Sequence, residues 1–417
     1  MQKINAILKD VLKEIQPDKD YEKGIFARIS TIIKKINTCR IAKAVLGGSG
    51  AKGTWLKAFD ADIFVMFDYK KYKDKSDKLS DLLEVILKKR FKNVVRLHGS
   101  RDYFQIKEEY FTFEVVPILK IKKAEQSKNI TDVSPLHASW VRRYKNLREG
   151  MRLTKHFCKS VNAYGAESYI RGFSGYVCEI LTIYYGSFLN LIKYASKWDD
   201  KVVIDPAKYY KNKDVFKLVN TSKLNSPLIV IDPVQKDRNA AAALCYEKFE
   251  AFKKAAKGFL RNPSKKFFEE KNIFSEMKNN QDKNSLFVVQ LKPLDGKIDV
   301  VGSKLLKIYE TLIEEIKKND FKLVKSDWEW NKGGGAYFYF LFDKSKISKF
   351  KMIRGPPLAL KEHVARFKQI HKKTFTKSGH VFSKDKRKYY SPKDLFEKSV
   401  KSEFVTERCG SIKFREE

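Results

Sequence analysis

The sequence contains no long uninterrupted hydrophobic run. Its most apolar stretch, residues 176–194, includes Glu179, Asn190 and Lys193, whereas a helix that spans a bilayer needs about 20 predominantly apolar residues. The N-terminal segment MQKINAILKDVLKEI is amphipathic and charged, and it lacks the apolar centre of a signal peptide. We therefore expect neither a membrane span nor a signal peptide.

Cysteine is scarce, and no two cysteines form a CxxC pair. The five cysteines are scattered along the chain, at positions 39, 158, 178, 245 and 409. An odd number without paired spacing argues against a disulfide framework and against a zinc site. Reduced, mostly buried thiols are typical of a cytoplasmic protein, which is the location we expect.

Acidic residues are few relative to basic ones. The 417 residues include 86 Lys and Arg against 50 Asp and Glu, which gives a formal net charge of +36. A compact protein with this self-repulsion requires a polyanionic partner. Nucleic acid is the first candidate and an anionic membrane surface the second. The length and the hydrophobic content of 43% predict a globular protein of roughly two to four domains.

A glycine-rich turn followed by two carboxylates is the most informative motif. Residues 47–67 read GGSGAKGTWLKAFDADIFVMF, with Asp60 and Asp62 at the start of an apolar run. In a strand, alternate side chains share a face, so these two carboxylates point the same way. They repel each other unless a cation lies between them. The oxygen ligands favour Mg²⁺, which is often held by carboxylates together with substrate phosphates.

The glycines of the same motif indicate an anion site. They allow the backbone to approach an anion closely and to turn its N–H groups toward it. Ser49 can donate a hydrogen bond to a phosphate, and Lys52 can lie near one as a point charge. A phosphate site just before a metal site indicates nucleoside triphosphate chemistry. The alternative is a surface turn, with a short helix or loop over residues 51–57, that leads into a strand carrying two acids.

A third acid lies in a later apolar segment. Glu114 stands in the sequence FEVVP, within a strand predicted for residues 110–119. An acid in such a strand is costly unless it is used or paired. If this strand neighbours the Asp60 strand, Glu114 completes a metal cluster. The alternative is a glutamate on an edge strand, facing solvent.

Helical patterns dominate from residue 134 onward. Ser134 and Pro135 are typical of an N-cap followed by proline at the first helical position, which places His137 in the first turn. A second helix is predicted over residues 147–161. A long, mostly apolar helix is predicted over residues 174–198.

Arg238 precedes an alanine-rich helix predicted for residues 240–259. A cation at a helix start is unfavourable for the helix dipole, so a ligand-binding role is plausible for Arg238. A salt bridge with Asp237 or Asp232 is the alternative.

The C-terminal part combines a predicted α/β domain with a basic stretch. A strand over 285–291, a helix over 303–318 and a hairpin through Gly333, Gly334 and Gly335 suggest an RNA-recognition type of sandwich. Residues 344–390 contain fifteen Lys or Arg against two acids, interleaved with aromatic residues. This pattern predicts nucleic-acid contact, although charge runs are usually only solvated faces. The contact residues that we expect are Arg354, Lys372, Lys373, Lys386, Arg387 and Lys388.

These motifs resemble those of known enzymes. Gly48-Ser49, Asp60-x-Asp62 and the later strand acid resemble the signature of the polymerase-β-like nucleotidyltransferase superfamily. The wider set of blocks resembles the archaeal-type (class I) CCA-adding tRNA nucleotidyltransferases, in the expected order and over most of the chain, most loosely over 266–417. The blocks that carry this resemblance are GGSGAKGTWL, FDADIFVMF, FEVVP, SPLH, YGAESYIRGFSGYVCEIL, IDPVQKDRNAAAAL and MIRGPPL.

The resemblance implies an activity and a set of site residues. The family adds C, C and A to the 3′ end of tRNA from CTP and ATP without a nucleic-acid template, by two-metal phosphoryl transfer. Asp60, Asp62 and Glu114 would hold two Mg²⁺ ions, and Arg238 would read the incoming base. The residues implied to line the triphosphate and ribose are Ser49, Lys52, Ser134, His137, Lys155 and Tyr164.

Three positions depart from the family pattern. Lys52 stands where an arginine is common, and it lacks the bidentate phosphate grip of arginine. Asp60 and Glu114 exchange the usual Glu and Asp, which preserves charge. The partners implied are the tRNA acceptor stem and 3′ end, and the family commonly forms homodimers.

The implied fold is α+β in three domains. Residues 1–133 would form a catalytic domain with a palm-like mixed sheet and helices, and residues 134–265 a mainly helical domain for nucleotide and primer. Residues 266–417 would form a tRNA-binding α/β domain with a basic tail. The alternatives are a poly(A) polymerase or second-messenger synthetase of the same superfamily, and a non-catalytic RNA-binding protein on a transferase scaffold.

Overall fold

The computed structural model describes residues 2–57, 61–108, 111–270, 272–280, 284–332, 334–344 and 347–417. Asp60 and Gly333 lie outside the described residues. The chain divides into two compact units, residues 1–271 and residues 272–417. No helix in the described ranges is long and apolar enough to cross a membrane.

The first unit contains the elements α1 (Gln2–Ile15), α2 (Lys19–Asn37), β1 (Ala42–Leu46), α3 (Gly48–Lys52), β2 (Ala61–Asp68), α4 (Tyr69–Tyr72), α5 (Leu79–Lys88), β3 (Val94–Leu97), β4 (Tyr103–Lys107), β5 (Thr112–Lys120), α6 (Ser134–Arg142), α7 (Arg148–Ser160), α8 (Gly175–Tyr185), α9 (Phe188–Ala195), β6 (Val202–Ile204), α10 (Val215–Leu218), β7 (Leu228–Asp232), β8 (Gln235–Asn239) and α11 (Tyr246–Arg261).

Strands β1 to β5 form a mixed sheet in the order β1-β2-β5-β4-β3. β2 and β5 are parallel, whereas the other neighbouring pairs are antiparallel. Ile63, Val65 and Phe67 of β2 are fully buried in a core that includes apolar residues of α2 and α5. A parallel pair buried in this way is typically a near-continuous apolar run, which explains the sequence of β2.

The helical part of the first unit packs around aromatic side chains. Phe157 of α7, Phe188 of α9 and Phe252 and Phe259 of α11 are buried in one core. Phe157 and Phe252 meet edge to face, with ring centroids 5.6 Å apart. Aromatic residues bury large areas and prefer this geometry, so this cluster fixes α7 against α11.

The prediction of one long helix over residues 174–198 is wrong, because the structure has two helices there. Gly186 adopts a left-handed backbone (φ 77°) and ends α8. The Ser187 side chain then accepts a hydrogen bond from the Asn190 amide and begins α9. A left-handed glycine followed by a serine cap terminates one helix and starts the next.

The alanine-rich helix also begins later than predicted. α11 starts at Tyr246, and Arg238 lies on strand β8 rather than at a helix start. β8 pairs antiparallel with β7, which in turn runs parallel to β6. The Asn239 side chain accepts from the amides of Val230 and Ala241, each at 2.9 Å. The bond from Val230 ties Asn239 to β7, and the alanines that follow form a turn instead of a helix.

The second unit contains the elements α12 (Ile273–Lys278), β9 (Asn284–Lys292), α13 (Ile298–Lys318), β10 (Leu323–Trp330), β11 (Ala336–Asp343), β12 (Phe350–Pro357), α14 (Lys361–Ile370), β13 (Thr374–Lys377), β14 (His380–Lys386), α15 (Pro392–Ser399), α16 (Glu403–Thr406) and β15 (Ser411–Glu416).

Its main sheet has the order β10-β11-β9-β15, with antiparallel neighbours. With α13 and α15 it follows the β-α-β-β-α-β order of the split βαβ motif, and the expected hairpin of β10 and β11 is present. Leu305, Phe338 and Phe396 are buried in the core shared by the sheet and these helices. A second sheet, in the order β12-β14-β13, is inserted between β11 and α15 together with α14.

Candidate active site

Asp62 and Glu114 lie side by side on the two parallel strands. Asp62 of β2 pairs with Glu114 of β5 in register. Register partners on neighbouring strands point to the same face, with backbones about 4.8 Å apart. β5 lies between β2 and β4, so Glu114 is not on an edge strand. Gln105 of β4 donates to Glu114 Oε1 at 3.2 Å.

The third predicted carboxylate is Asp60, which lies outside the described residues. Among the residues that the structure does describe, no group of three or more His, Cys, Asp or Glu side chains could hold a metal ion. The proximity of Asp60 to Asp62 and Glu114 therefore stays a prediction.

The glycine-rich turn packs directly against Asp62. The Gly47 amide donates to the Asp62 carbonyl at 2.7 Å. Gly48 has φ +50°, and a Cβ atom there would lie 1.6 Å from Asp62 Oδ2. The turn continues into α3, which carries Ser49 and Lys52, so the short helix begins earlier than the expected 51–57 segment. A glycine is required here because the backbone touches the carboxylate.

Two arginines of α7 hold the chain that follows α3. Arg148 Nε donates to the Lys52 carbonyl at 3.1 Å. Arg152 donates to the carbonyls of Trp55 and Gly53 at 3.0 and 2.9 Å. These bonds connect the glycine turn to the helical part of the unit, and they place Lys52 opposite α7 and α8.

Lys52 and Lys155 share one buried carboxylate, Glu179 of α8. Glu179 is fully buried, and its two oxygens lie 2.7 Å from Lys52 Nζ and 2.7 Å from Lys155 Nζ. Thr54 Oγ1 donates to Glu179 Oε1 and accepts from Lys155 Nζ. The cluster has two cations and one anion, so it keeps a net positive charge suited to an anionic ligand.

This arrangement lowers the pKa of both Glu179 and Lys155. Burial opposes the charge of Glu179, but Lys155 and Lys52 outweigh it and lower the pKa of Glu179 to about 2. Burial lowers the pKa of Lys155, and the attraction of Glu179 opposes this only in part. Two lysines attract the charge of Glu179, whereas each lysine is attracted by one carboxylate and repelled by the other lysine.

A second buried carboxylate, Asp232 at the end of β7, binds two other predicted site residues. Its Oδ2 accepts from Arg238 Nη1 at 2.6 Å and contacts His137 Nε2 at 3.0 Å. Its Oδ1 accepts from the Tyr176 hydroxyl at 3.2 Å and from the Val234 amide at 3.0 Å. Burial opposes the ionisation of Asp232, but these partners outweigh it and lower its pKa.

Tyr176 links the two clusters. Its ring stacks on His137 with centroids 4.1 Å apart, and Lys52 Nζ lies 5.7 Å from the same ring. Tyr176 and Glu179 are one turn apart on α8. One helix therefore supports both groups of cations.

Tyr164 lies next to the Lys155 cluster, and Ser134 begins α6. A Cβ atom at Gly175 would lie 2.8 Å from the Tyr164 hydroxyl and 3.5 Å from Lys155 Cε, so the three residues are adjacent. Burial raises the pKa of Tyr164 above its ordinary value. Ser134 is the first residue of α6 rather than its cap, because Val133 already has helical backbone angles (φ −79°, ψ −17°).

Comparisons with known proteins show which family the chain resembles. Residues 149–269 match the family model for the second domain of tRNA nucleotidyltransferase, and residues 284–408 match the C-terminal domain of CCA-adding enzymes. Residues 1–142 match the Second Messenger Oligonucleotide or Dinucleotide Synthetase domain. The CCA-adding enzyme of Nanoarchaeum equitans is 37% identical over 372 residues, covering 88% of this chain and 90% of that enzyme.

The chain belongs to the CCA-adding enzyme family.

Further relatives extend the match to nearly the whole chain. The CCA-adding enzyme of Methanocaldococcus jannaschii is 32% identical over 437 aligned positions, which cover 98% of this chain and 95% of that enzyme. Among solved structures, the Cid1 RNA terminal uridylyl transferase has a TM-score of 0.53 at 13% identity, covering 66% of this chain and 99% of its own. A cytoplasmic RNA terminal U-transferase has a TM-score of 0.51 at 14% identity, covering 66% and 100%. These two show a shared fold only.

In this CCA-adding enzyme the structure brings the predicted residues together in pairs. Asp62 lies beside Glu114. Lys52 and Lys155 share Glu179, while His137 and Arg238 share Asp232. Ser49 and Ser134 lie on α3 and α6, which pack against each other. Arg238 forms the salt bridge with Asp232 that the sequence offers as the alternative to ligand binding. A contact of Arg238 with a base stays a prediction.

Sequence reasoning missed the two carboxylates that hold these cations. In the sequence, Glu179 argues only against a membrane span, and Asp232 is only an alternative partner of Arg238. Glu179 had a usable signal, because a charged residue within the most apolar stretch of the chain is costly unless it is paired. Glu114, an acid in an apolar strand, carries the same signal.

The six basic residues expected to contact RNA differ in their surroundings. Arg387 is half-buried and donates to the carbonyls of Asn319 and Ser348 and to Asp320, so it has a structural role within the second unit. The others are exposed. Lys386 Nζ and Lys388 Nζ lie 5.9 and 5.1 Å from the rings of Tyr390 and Tyr389.

A methyl group at residue 48 should displace the Asp62 carboxylate. We expect Gly48→Ala to reduce nucleotide incorporation at least 100-fold, because the added Cβ would occupy the position of Oδ2. Gly186→Ala is the matched control: Gly186 also has a positive φ (+77°), but a Cβ there would meet nothing within 4 Å. Both variants should lose about 1 kcal/mol of stability to backbone strain. Equal activities in the two variants would contradict the contact.

The stability of the enzyme should depend on Glu179 at acid pH. Lowering a pKa from 4.5 to about 2 corresponds to about 3 kcal/mol in favour of the folded state above pH 4.5, lost as pH falls toward 2. We expect urea unfolding to show a shallower decline of stability between pH 5 and pH 3 in Glu179→Gln than in the parent. The exposed Glu250→Gln should behave as the parent. Identical slopes in all three proteins would be inconsistent with an ionised Glu179.

Proposed function

We propose that this chain adds C, C and A to the 3′ end of tRNA from CTP and ATP, with the acid pair of β2 and β5 as the catalytic centre. The observation that supports this most strongly is the register of Asp62 and Glu114 beneath a glycine turn. A cationic cluster of Lys52, Lys155 and Glu179 follows the turn directly. Paired acids beside an anion site are what nucleotidyl transfer requires.

The donor set fits divalent magnesium. Asp62 and Glu114 are half-buried carboxylates on adjacent inner strands, and hard cations prefer such oxygen ligands. With Asp60 as the third ligand, we propose that these residues hold two Mg²⁺ ions. When bound, the ions would activate the attacking 3′ hydroxyl of tRNA and neutralise charge on the triphosphate and the leaving pyrophosphate.

The lysines and their neighbours would hold the triphosphate. Lys52 and Lys155 provide two cations that Glu179 keeps in place, and Ser49 follows Gly48, which packs against Asp62. We assign Ser134, His137 and Tyr164 to the triphosphate and ribose as well. Because these groups are fixed before the nucleotide arrives, the α-phosphorus can be aligned with the tRNA 3′ oxygen at little entropic cost.

Arg238 would contact the incoming base. Its Nη1 is bound to Asp232, while its Nε and Nη2 have no hydrogen-bond partner among the described residues. The side chain is 30% exposed, so these donors are available. Fixed donors of this kind can meet acceptors on both cytosine and adenine, which suits one pocket that serves two bases.

The basic surface of the second unit would bind the tRNA acceptor stem. We assign Arg354, Lys372, Lys373, Lys386 and Lys388 to phosphate contacts, with Arg387 beside them, because side chains cannot read the deep groove of A-form RNA. A cytoplasmic homodimer is part of the proposal. So is the division into a catalytic domain (1–133), a helical nucleotide and primer domain (134–265) and a tRNA-binding domain (266–417).

Incubation with tRNA that lacks its terminal triplet tests this function. With CTP and ATP we expect addition to stop after three residues, and Asp62→Ala should abolish incorporation while leaving tRNA affinity largely unchanged. Asp68→Ala, at the opposite end of the same strand, is the control and should retain activity. An indefinite A tail would instead identify a poly(A) polymerase, and incorporation at the parental rate by Asp62→Ala would refute the assignment of the acids.

Binding of tRNA should weaken steeply with salt, because phosphate contacts release counterions. Replacing Lys386 and Lys388 by alanine should reduce the slope of log affinity against log salt by about 2, or about 1 for each lost contact. Replacing the exposed Lys13 and Lys23 of the first two helices should leave the slope unchanged. The measurement is tRNA binding over a series of salt concentrations, and a flat response in the parent would rule out this surface as the tRNA site.

A further inference from the structure

Asp232 is a fully buried carboxylate with donors on both oxygens. Oδ2 faces Arg238 Nη1 and His137 Nε2, and Oδ1 faces the Tyr176 hydroxyl and the Val234 amide. An ionised carboxylate has about four acceptor positions, so the observed contacts occupy its capacity. A carboxylate held from four directions cannot rotate.

Its partners come from separate parts of the fold. His137 lies on α6, Tyr176 on α8 and Arg238 on β8, while Asp232 ends β7. The β7–β8 register shifts between Ile231 and Asp232, which places the carboxylate at an irregular point of the hairpin. One rigid acid therefore sets the positions of side chains from three other elements.

Arg238 depends most on this anchor. Its side chain is 30% exposed, against 12% for His137, and an arginine side chain has about 2 kcal/mol of rotamer entropy when it is unrestrained. Pinning Nη1 fixes the plane of the guanidinium, and that plane determines where Nε and Nη2 point. Cytosine N3 is an acceptor, whereas uracil carries a donor there, so two fixed donors favour cytosine and repel uracil.

We infer that Asp232 is a positioning residue that fixes the guanidinium plane of Arg238 and thereby determines discrimination between cytosine and uracil. This inference rests on the proposed contact of Arg238 with the incoming base. Asp232 touches neither nucleotide nor tRNA in this account. A free Arg238 could rotate to satisfy either pyrimidine.

The test is a double-mutant cycle on Asp232→Asn and Arg238→Ala, measured with the full chain and tRNA lacking its terminal triplet. The measured quantity is kcat/KM for CTP divided by kcat/KM for UTP. Contacts to the triphosphate, including that of His137, are the same for both nucleotides and cancel in this ratio. Asparagine keeps the volume of aspartate but presents an N–H₂ group to at least one buried donor.

We expect Asp232→Asn to lower this ratio about 10-fold, and Arg238→Ala to lower it at least as much. The double variant should match Arg238→Ala within about 2-fold, because an anchor has no effect once its arginine is removed. Asp102→Asn, which removes a carboxylate paired with Arg96, is the matched control and should leave the ratio unchanged. Thermal unfolding of each variant measures any separate effect on stability.

Two results would overturn the inference, and they are distinguishable. If the two single effects multiply in the double variant, Asp232 does not act through Arg238, while the proposed base contact stands. If Arg238→Ala leaves the ratio unchanged, the base contact itself is wrong. Should Asp232→Asn not fold, Tyr176→Phe takes its place. It removes one of the two donors to Oδ1 and leaves the Val234 amide, and any loss of discrimination that it causes must disappear in the Arg238→Ala background.

Discussion

Two buried carboxylates, Glu179 and Asp232, are the interactions on which the cationic part of the site depends. An ion buried without a partner costs several kcal/mol, so each acid requires its cations. The converse also holds. Lys52 and Lys155 cannot turn away from Glu179, and Arg238 remains attached to Asp232. The ion pairs therefore position the groups that meet the nucleotide, in addition to stabilising the fold.

The acidic part of the site depends on strand register. Asp62 and Glu114 are 52 positions apart in the sequence, and the parallel pairing of β2 and β5 places them side by side. A slip of one residue would turn Glu114 to the opposite face of the sheet. The close packing of Gly48 against Asp62 adds a second restraint, because the glycine turn and the acid occupy neighbouring space.

The fold and the site differ in how far they could be predicted. The apolar run of β2, the hairpin of β10 and β11 and the amphipathic helices follow from periodicity, because each is decided by neighbours within a few residues. The break at Gly186 and the late start of α11 were missed. Both depend on hydrogen bonds or caps that oppose helix formation, and helix propensity alone does not show whether they are strong enough to end a helix.

By itself the sequence determined the chemistry that is available: an acid pair after a glycine turn, a third acid in an apolar strand, a basic C-terminal stretch and membership of a transferase family. The tertiary structure alone decided the partners. Glu179 meets Lys52 across 127 positions, and Asp232 meets His137 across 95. The physical reason is that a buried charge is neutralised by whichever group folding brings within a few ångströms. That distance cannot be read from the spacing of residues in the sequence.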